Sequence, residues 1–268
     1  MKIGLQVSSL EAYLQTPHAV QETFQKIRDI GYKYVQIQYI GNDVSAESVN
    51  ESLRKSNLIC MGTQDDFYYD QEEFLNSIDK IIARNLLWQA KYVCVAVVIS
   101  QNENEIKKLS TKLNDMSHKL NNNGLILEIH PLFPSLISLG TTTPLDMLWK
   151  QIDDAILLQP DFFHTFMANA NVADIMSKYH KRIVEAHLKD FRILDGGINM
   201  IPSDSFDDLK YCHFTPLGQG IIPWKDVIEE CKKYNMEYYW VEQEKWDKDA
   251  FDCMKESFDY LISCGLNA

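Results

Sequence analysis

Carboxylates and imidazoles recur at the ends of apolar runs in the second half of the chain. The run GLILEIH closes on Glu128 and His130, and AILLQP leads into Asp161 and His164. RIVEAHL carries His187 and continues into Lys189 and Asp190, while YYWVEQ contains Glu242 and is followed by Glu244. If each run is a β-strand, side chains two positions apart share a face. Glu128 then goes with His130, His187 with Lys189, and Glu242 with Glu244. Carboxylates and imidazoles without a thiolate make a mixed oxygen and nitrogen donor set, which suits a divalent cation such as Mn2+, Mg2+, Co2+ or Zn2+. A cation with open positions holds vicinal oxygens of a polyhydroxy compound and polarises a carbonyl. That brings a neighbouring C–H or O–H within reach of a carboxylate base near neutral pH.

Each residue also has a purely structural explanation. A single histidine at a strand end can be a hydrogen-bonded core residue. Asp161, just after Pro160, is placed to cap a following helix. Glu242 can be held by a basic partner, since an unpaired buried carboxylate is costly. Recurrence over four successive runs favours a common site. His18, His118 and His180 fall on predicted helices and read as solvated, and Trp149 and Trp224 read as packing residues. The first half of the chain has no equivalent set: its runs end in serines, Gly-Asn, Thr-Gln-Asp-Asp and Ser-Gln.

The elements that must position these groups alternate along the whole chain. Strands are expected over residues 2–7, 34–40, 58–63, 91–100, 124–130, 155–160, 182–188 and 238–243. Helices are expected over 18–31, 45–56, 70–87, 103–121, 144–151, 171–180, 224–234 and 249–264, with Gly31 ending the first, Asn171 capping the sixth and Pro223 preceding the seventh. Near-continuous apolar strands followed by amphipathic helices indicate a parallel sheet covered by helices. Eight such units in a chain of this length match an α/β (β/α)8 TIM barrel forming one domain over residues 1–268. An open doubly wound sheet is the rival, and it calls for a glycine-rich phosphate loop that QVSSLEAYL does not supply. In the barrel, catalytic groups come from C-terminal strand ends, so the four polar run-ends face one mouth. Residues 191–223 read as a long irregular loop over that face.

The 268 residues are 46% hydrophobic, enough for one sizeable core. A net charge of −12, from 38 acidic and 26 basic residues, argues against nucleic acid or an anionic membrane as partner. No run approaches the ~20 apolar residues of a membrane span, and the first residues do not read as a secretory signal. Six scattered cysteines without a CxxC pair suit a reduced, cytoplasmic protein. The expected partner is a small polyhydroxy substrate, and self-association is compatible with this reading.

Four segments carry a family resemblance: KIGLQVSSL at the start, PDFFHTFMANANVADIMSKYHKRIVEAHLKDF, PLGQGIIPWKDVI, and YYWVEQEKWDKDAFDCMKESFDYL near the end. In this order and spacing they resemble the xylose isomerase-like TIM-barrel superfamily, the sugar phosphate isomerases/epimerases, over nearly the whole chain. The resemblance implies one divalent metal bound through Glu, Asp, His and Glu. Asp161, His187 and Glu242 match three of these ligands, and either Glu128 or His130 supplies the fourth. It further implies that Lys189 contacts substrate and that Glu128 and Glu242 serve as the acid/base pair. Leu132 and Ser135 stand where many relatives carry His and Glu after EIHP. The implied reaction is isomerisation or epimerisation of a sugar, sugar phosphate or cyclitol by proton transfer next to a carbonyl. A dehydratase on the same site, or a non-catalytic sugar-binding relative, are the alternatives.

Overall fold

The structure, a computed structural model, describes residues 1–67, 71–195, 197 and 201–268. Its strands are β1 (Lys2–Gln6), β2 (Tyr34–Ile37), β3 (Ile59–Asp65), β4 (Tyr92–Val97), β5 (Ile126–Pro131), β6 (Leu157–Leu158), β7 (Glu185–Leu188), β8 (Asp190–Ile193), β9 (Cys212–Thr215) and β10 (Tyr238–Val241). Eight of them form one sheet in the order β6-β5-β4-β3-β2-β1-β10-β7, paired in parallel throughout. The ring closes between its two ends by a bridge from Asp161 to His187, with the His187 amide donating to the Pro160 carbonyl at 2.9 Å. The chain is thus a single-domain (β/α)8 barrel rather than an open sheet.

Helices α1 (Pro17–Ile30), α2 (Ala46–Lys55), α3 (Gln71–Asn76), α4 (Ile78–Leu87), α5 (Glu103–Asn121), α6 (Pro144–Trp149), α7 (Phe162–Met167), α8 (Val172–Tyr179), α9 (Trp224–Lys232) and α10 (Ala250–Ser263) follow the strands in turn. Leu127 and Ile129 of β5 join the core shared with Ile106, Leu113 and Leu120 of α5. Glu128 and His130 alternate to the barrel interior, as period-2 geometry requires. Among the described residues no helix is long and apolar enough to cross a membrane.

The differences from the sequence expectation are local. The expected strand 34–40 stops at Ile37, and Tyr39 beyond it takes a left-handed backbone with φ 55°. Strand 155–160 keeps only Leu157 and Leu158 in the sheet, because Pro160 has no N–H for a ladder. The helix expected over 70–87 is two helices flanking Ser77, and its first residue lies outside the described residues. Helix α7, whose bounds were not among the expected ones, starts directly after Asp161, which caps it as its place after Pro160 allowed. Of the irregular stretch 191–223, residues 196 and 198–200 lie outside the described residues. The remainder contributes most of an antiparallel hairpin, β8 with β9, whose first residue is Asp190.

That hairpin is followed by a turn built around one carboxylate. Asp190 Oδ2 accepts from the amides of Gly218 and Gly220, both at 2.9 Å, and Oδ1 from Phe191 at 2.9 Å and Ile222 at 3.3 Å. A Cβ on Gly220 would lie 2.1 Å from Asp190 Oδ1, so only glycine lets the turn close this tightly. Leaving buried amides unsatisfied costs about 1–3 kcal/mol each. Asp190→Ala should therefore lower unfolding free energy by roughly 3 kcal/mol or more, read as a fall in the urea midpoint, with Asp190→Asn losing less.

Candidate metal and substrate site

Asp161 sits where the barrel closes, and its two carboxylate oxygens have separate surroundings. Oδ1 caps α7, accepting from the Phe163 amide at 2.7 Å and the His164 amide at 3.3 Å. Oδ2 turns into the mouth, 3.7 Å from His130 Nε2, 3.9 Å from His164 Nε2 and 3.7 Å from Lys189 Nζ. Those separations exceed hydrogen-bond length. Asp161 Oδ2, both nitrogens of His130 and His164 Nδ1 are buried and have no hydrogen-bond partner. Buried polar atoms are rarely left so.

On the other side of Asp161, His187 Nδ1 lies 2.9 Å from Glu242 Oε2, and Lys189 Nζ lies 3.2 Å from the same oxygen. Ser8, in the turn after β1, donates its hydroxyl to Glu242 Oε1 at 3.2 Å. Two sets of donor atoms result, His130 with Asp161 and His164, and Asp161 with His187 and Glu242. Within each set the atoms lie within 4.8 Å of one another. A cation about 2.1 Å from nitrogen and oxygen ligands draws neighbouring donors to roughly 3–3.5 Å of each other. The observed separations need only small side-chain adjustments to reach that. The donor set and its unpartnered buried atoms therefore fit a divalent cation.

Electrostatics keep the site ionised despite its depth. Burial opposes ionisation of Asp161, but His164, charged only in strong acid, and Lys189, charged throughout, outweigh it and hold the carboxyl well below the usual range. Glu242 is held low in the same way, with Lys189 and His187 overcoming burial. Lys189 is buried too, yet Glu242, Glu244 and Asp161 raise it well above the ordinary lysine value. Burial pulls His164 down to about 3, against the opposing pull of Asp161, so its imidazole is neutral. Burial likewise lowers His187, with Glu242 acting in the opposite direction.

The amide of Gln36 sets the ring of His187. Gln36 Oε1 accepts from Gln6 Nε2 at 3.0 Å and lies 2.6 Å from His187 Nε2. With Gln36 Oε1 as acceptor, Nε2 carries a proton and Nδ1 is directed toward the mouth.

Glu128 lies deeper than the other candidates. Its Oε2 accepts from Gln159 Nε2 at 3.3 Å, and the same Gln159 nitrogen donates to Glu185 Oε1. Gln36 Nε2 also reaches Glu185 Oε1, at 3.4 Å. Glu128 and Glu185 form a carboxyl pair inside the barrel, and Glu128 belongs to neither cation-directed set. Glu128 Oε1 and Glu185 Oε2 are buried and without a hydrogen-bond partner, which favours the protonated form over two adjacent charges. Burial, followed by the neighbouring Glu185, raises Glu128 well above the carboxylate range, and burial pushes Glu185 up to about 7.

Of the residues named from sequence, the structure brings His130, Asp161, His187, Lys189 and Glu242 together and places His164 and Glu244 beside them. Gln36, Gln159, Glu185 and Ser8 were not identified from sequence. The available signal for the first three was a polar residue within a largely apolar run.

These groups open onto a cavity of about 570 Å3, within the ~300–1,000 Å3 typical of small-molecule sites. Another cavity of about 530 Å3, near Gln71 and Lys112, contains no imidazole and lies away from this cluster.

Folded-state pKa values above the unfolded value mean that the interior pair stabilises the fold fully below about pH 4.5 and less as pH rises through neutrality. Glu128→Gln removes one of the two titrations. In metal-free protein, the stability of wild type relative to this variant should therefore decline between pH 5 and pH 9. Urea unfolding across that range measures it, and a constant difference would show that Glu128 ionises as an ordinary carboxyl.

Comparison with known proteins agrees with this architecture. No curated protein matches the chain significantly in sequence. A sugar phosphate isomerase/epimerase from Parabacteroides distasonis superposes with a TM-score of 0.75 at 16% identity, covering 97% of this chain and 93% of its own. The IOLI protein with a bound zinc atom gives 0.74 at 15% identity, covering 98% of both chains. The 3-keto-D-glucoside 4-epimerase YcjR from E. coli gives 0.71 at 16%, covering 98% of this chain and all 100% of its own. At such identities the likeness is one of fold. The model of the xylose isomerase-like TIM barrel family matches residues 24–264, and the chain belongs to that family.

Proposed function

We propose that the protein is a divalent-metal-dependent isomerase or epimerase of a sugar or related polyhydroxy carbonyl compound, working by proton transfer next to the carbonyl. The observation that carries this reading is the convergence of buried, unpartnered Asp161 Oδ2 and His130 nitrogens with His187 and Glu242 at the barrel mouth. Proteins of related fold, including a 3-keto-D-glucoside 4-epimerase and a protein with a bound zinc atom, support it.

Asp161, His187, Glu242 and His130 hold the metal, which supplies Lewis acidity and a template for two substrate oxygens. Gln36 keeps the His187 ring turned so that Nδ1 faces the mouth. Lys189, permanently charged and fixed by Glu242 and Glu244, stabilises negative charge developing on a substrate oxygen. Glu242, kept ionised, accepts the proton on its side of the substrate. The imidazole of His164 lines the cavity beside Asp161. Glu128 has no part in this chemistry; it belongs to the interior carboxyl pair.

Deuterium uptake from D2O at the carbon beside the carbonyl, followed by NMR over a ketose panel with added Mn2+, tests the reaction. Exchange is expected in the loaded protein and absent after EDTA treatment. Asp161→Ala should lose the metal by elemental analysis; a stoichiometric ion in that variant would remove Asp161 from the ligand set. Lys189→Met should keep its metal while exchange slows by roughly 10²–10³-fold, the usual effect of losing one oxyanion donor.

A further inference from the structure

We infer that the substrate is neutral and unphosphorylated, an inference that rests on the polyhydroxy carbonyl chemistry proposed above. A phosphate monoester carries ≈ −1.5 to −2 charge at pH 7. Binding one needs unengaged arginine or lysine side chains, or converging backbone amides. Among the described residues that line the cavity there is no arginine, and the one lysine is engaged.

Its walls carry the carboxylates of Glu11, Asp66, Glu242 and Glu244, with Asp161 beside them, against one cationic side chain, Lys189. That cation is engaged, 2.7 Å from Glu244 Oε1, 3.2 Å from Glu242 Oε2 and 3.7 Å from Asp161 Oδ2. A divalent ion on Asp161 and Glu242 balances those two carboxylates and leaves Glu11 and Asp66 in excess. Arg84 lines an adjoining cavity that shares Gln38, Tyr39 and Gln64, where its guanidinium pairs with Asp65 at 2.5 Å. The residues outside the described set are Tyr68, Tyr69, Asp70, Gly196, Ile198, Asn199 and Met200, which include no basic side chain.

The backbone amides of one glycine-containing turn near the mouth are engaged as well. Phosphate sites on barrels of this class are frequently built from the loops after the seventh and eighth strands. Here the amides of Gly218, Gly220 and Ile222, in the turn after β9, converge on an anion that is already part of the protein, the Asp190 carboxylate. The glycines that would let a phosphate approach instead let Asp190 approach.

What the walls do match is a set of hydroxyl groups. Carboxylates only accept hydrogen bonds, and substrate hydroxyls donate them. The carboxylates and the amides of Gln38 and Gln64 provide acceptors along one wall, and Leu132, Phe206 and Leu209 give an apolar surface for C–H groups. A phosphate has no hydrogens to give such acceptors and adds like charge.

Calorimetric titration of the full, Mn2+-loaded chain with matched pairs tests this. The pairs are D-fructose with its 1- and 6-phosphates, D-tagatose with its 6-phosphate, and D-ribulose with its 5-phosphate, at physiological salt. Neutral members should bind at least ~10-fold more tightly than their phosphates, as like-charge juxtaposition predicts. A phosphate ester that binds as tightly as its neutral partner, or the absence of binding by every neutral member, overturns the inference. Glu244→Gln, which releases Lys189 from one carboxylate, should narrow the gap by strengthening phosphate binding; an unchanged gap overturns the electrostatic basis. Deuterium exchange on the same mixtures reads the proposed reaction separately. A neutral-ligand preference without exchange removes the isomerase and leaves the ligand class standing.

Discussion

Charge placed inside a protein must be balanced where it sits, and in this barrel the balance is struck at the seam that closes it. Asp161 and His187 join β7 to the segment after β6 through their backbones, and their side chains then face one another across the mouth. One oxygen of Asp161 caps α7, which fixes the carboxylate. The other is left among imidazoles and an ammonium without completing a hydrogen bond. Helix capping and ligand presentation are therefore one arrangement, because a carboxylate has two oxygens that can be satisfied separately.

The barrel interior extends this arrangement downward. An apolar filling is common in such barrels, whereas here amides and acids run in series from His187 through Gln36, Glu185 and Gln159 to Glu128. Each amide has a donor and an acceptor to offer, so glutamine can link charged and neutral partners in turn. Burial raises both deep carboxyls, with Glu185 adding to the effect at Glu128, while Asp161 and Glu242 at the mouth are held low with Lys189 beside them. One lysine at the boundary separates two protonation regimes among chemically identical groups. Gly4 shows how tightly the interior is filled, since a Cβ there would lie 2.0 Å from Trp240.

Asp190 shows the same principle outside the barrel axis. Four backbone amides need an anion-like acceptor, and the chain supplies its own. The motif containing Gly218 and Gly220 thus serves the architecture of the loop, and the cavity retains its excess of acceptors. A surplus of carboxylates over cations gives the mouth a chemical character distinct from a phosphate-binding site.

Much of this was legible in the chain before any coordinates. Alternation of apolar strands with amphipathic helices sets the barrel, since each strand must be covered on its outer face, and residue types at run-ends mark the face where chemistry gathers. Period-2 geometry also tells that Glu128 and His130 share a side. It does not tell their depth, which depends on how far each strand slides against its neighbours. The pairing of Glu128 with Leu157 and of Ala96 with His130 decided that the acid lies inside and the imidazole at the mouth. Gln36 and Glu185 stayed hidden for a related reason, since their partners are brought close only by closure of the ring. Local pattern follows from backbone geometry within a few residues; which buried groups meet, and so which of them carry charge, is decided by register between distant segments.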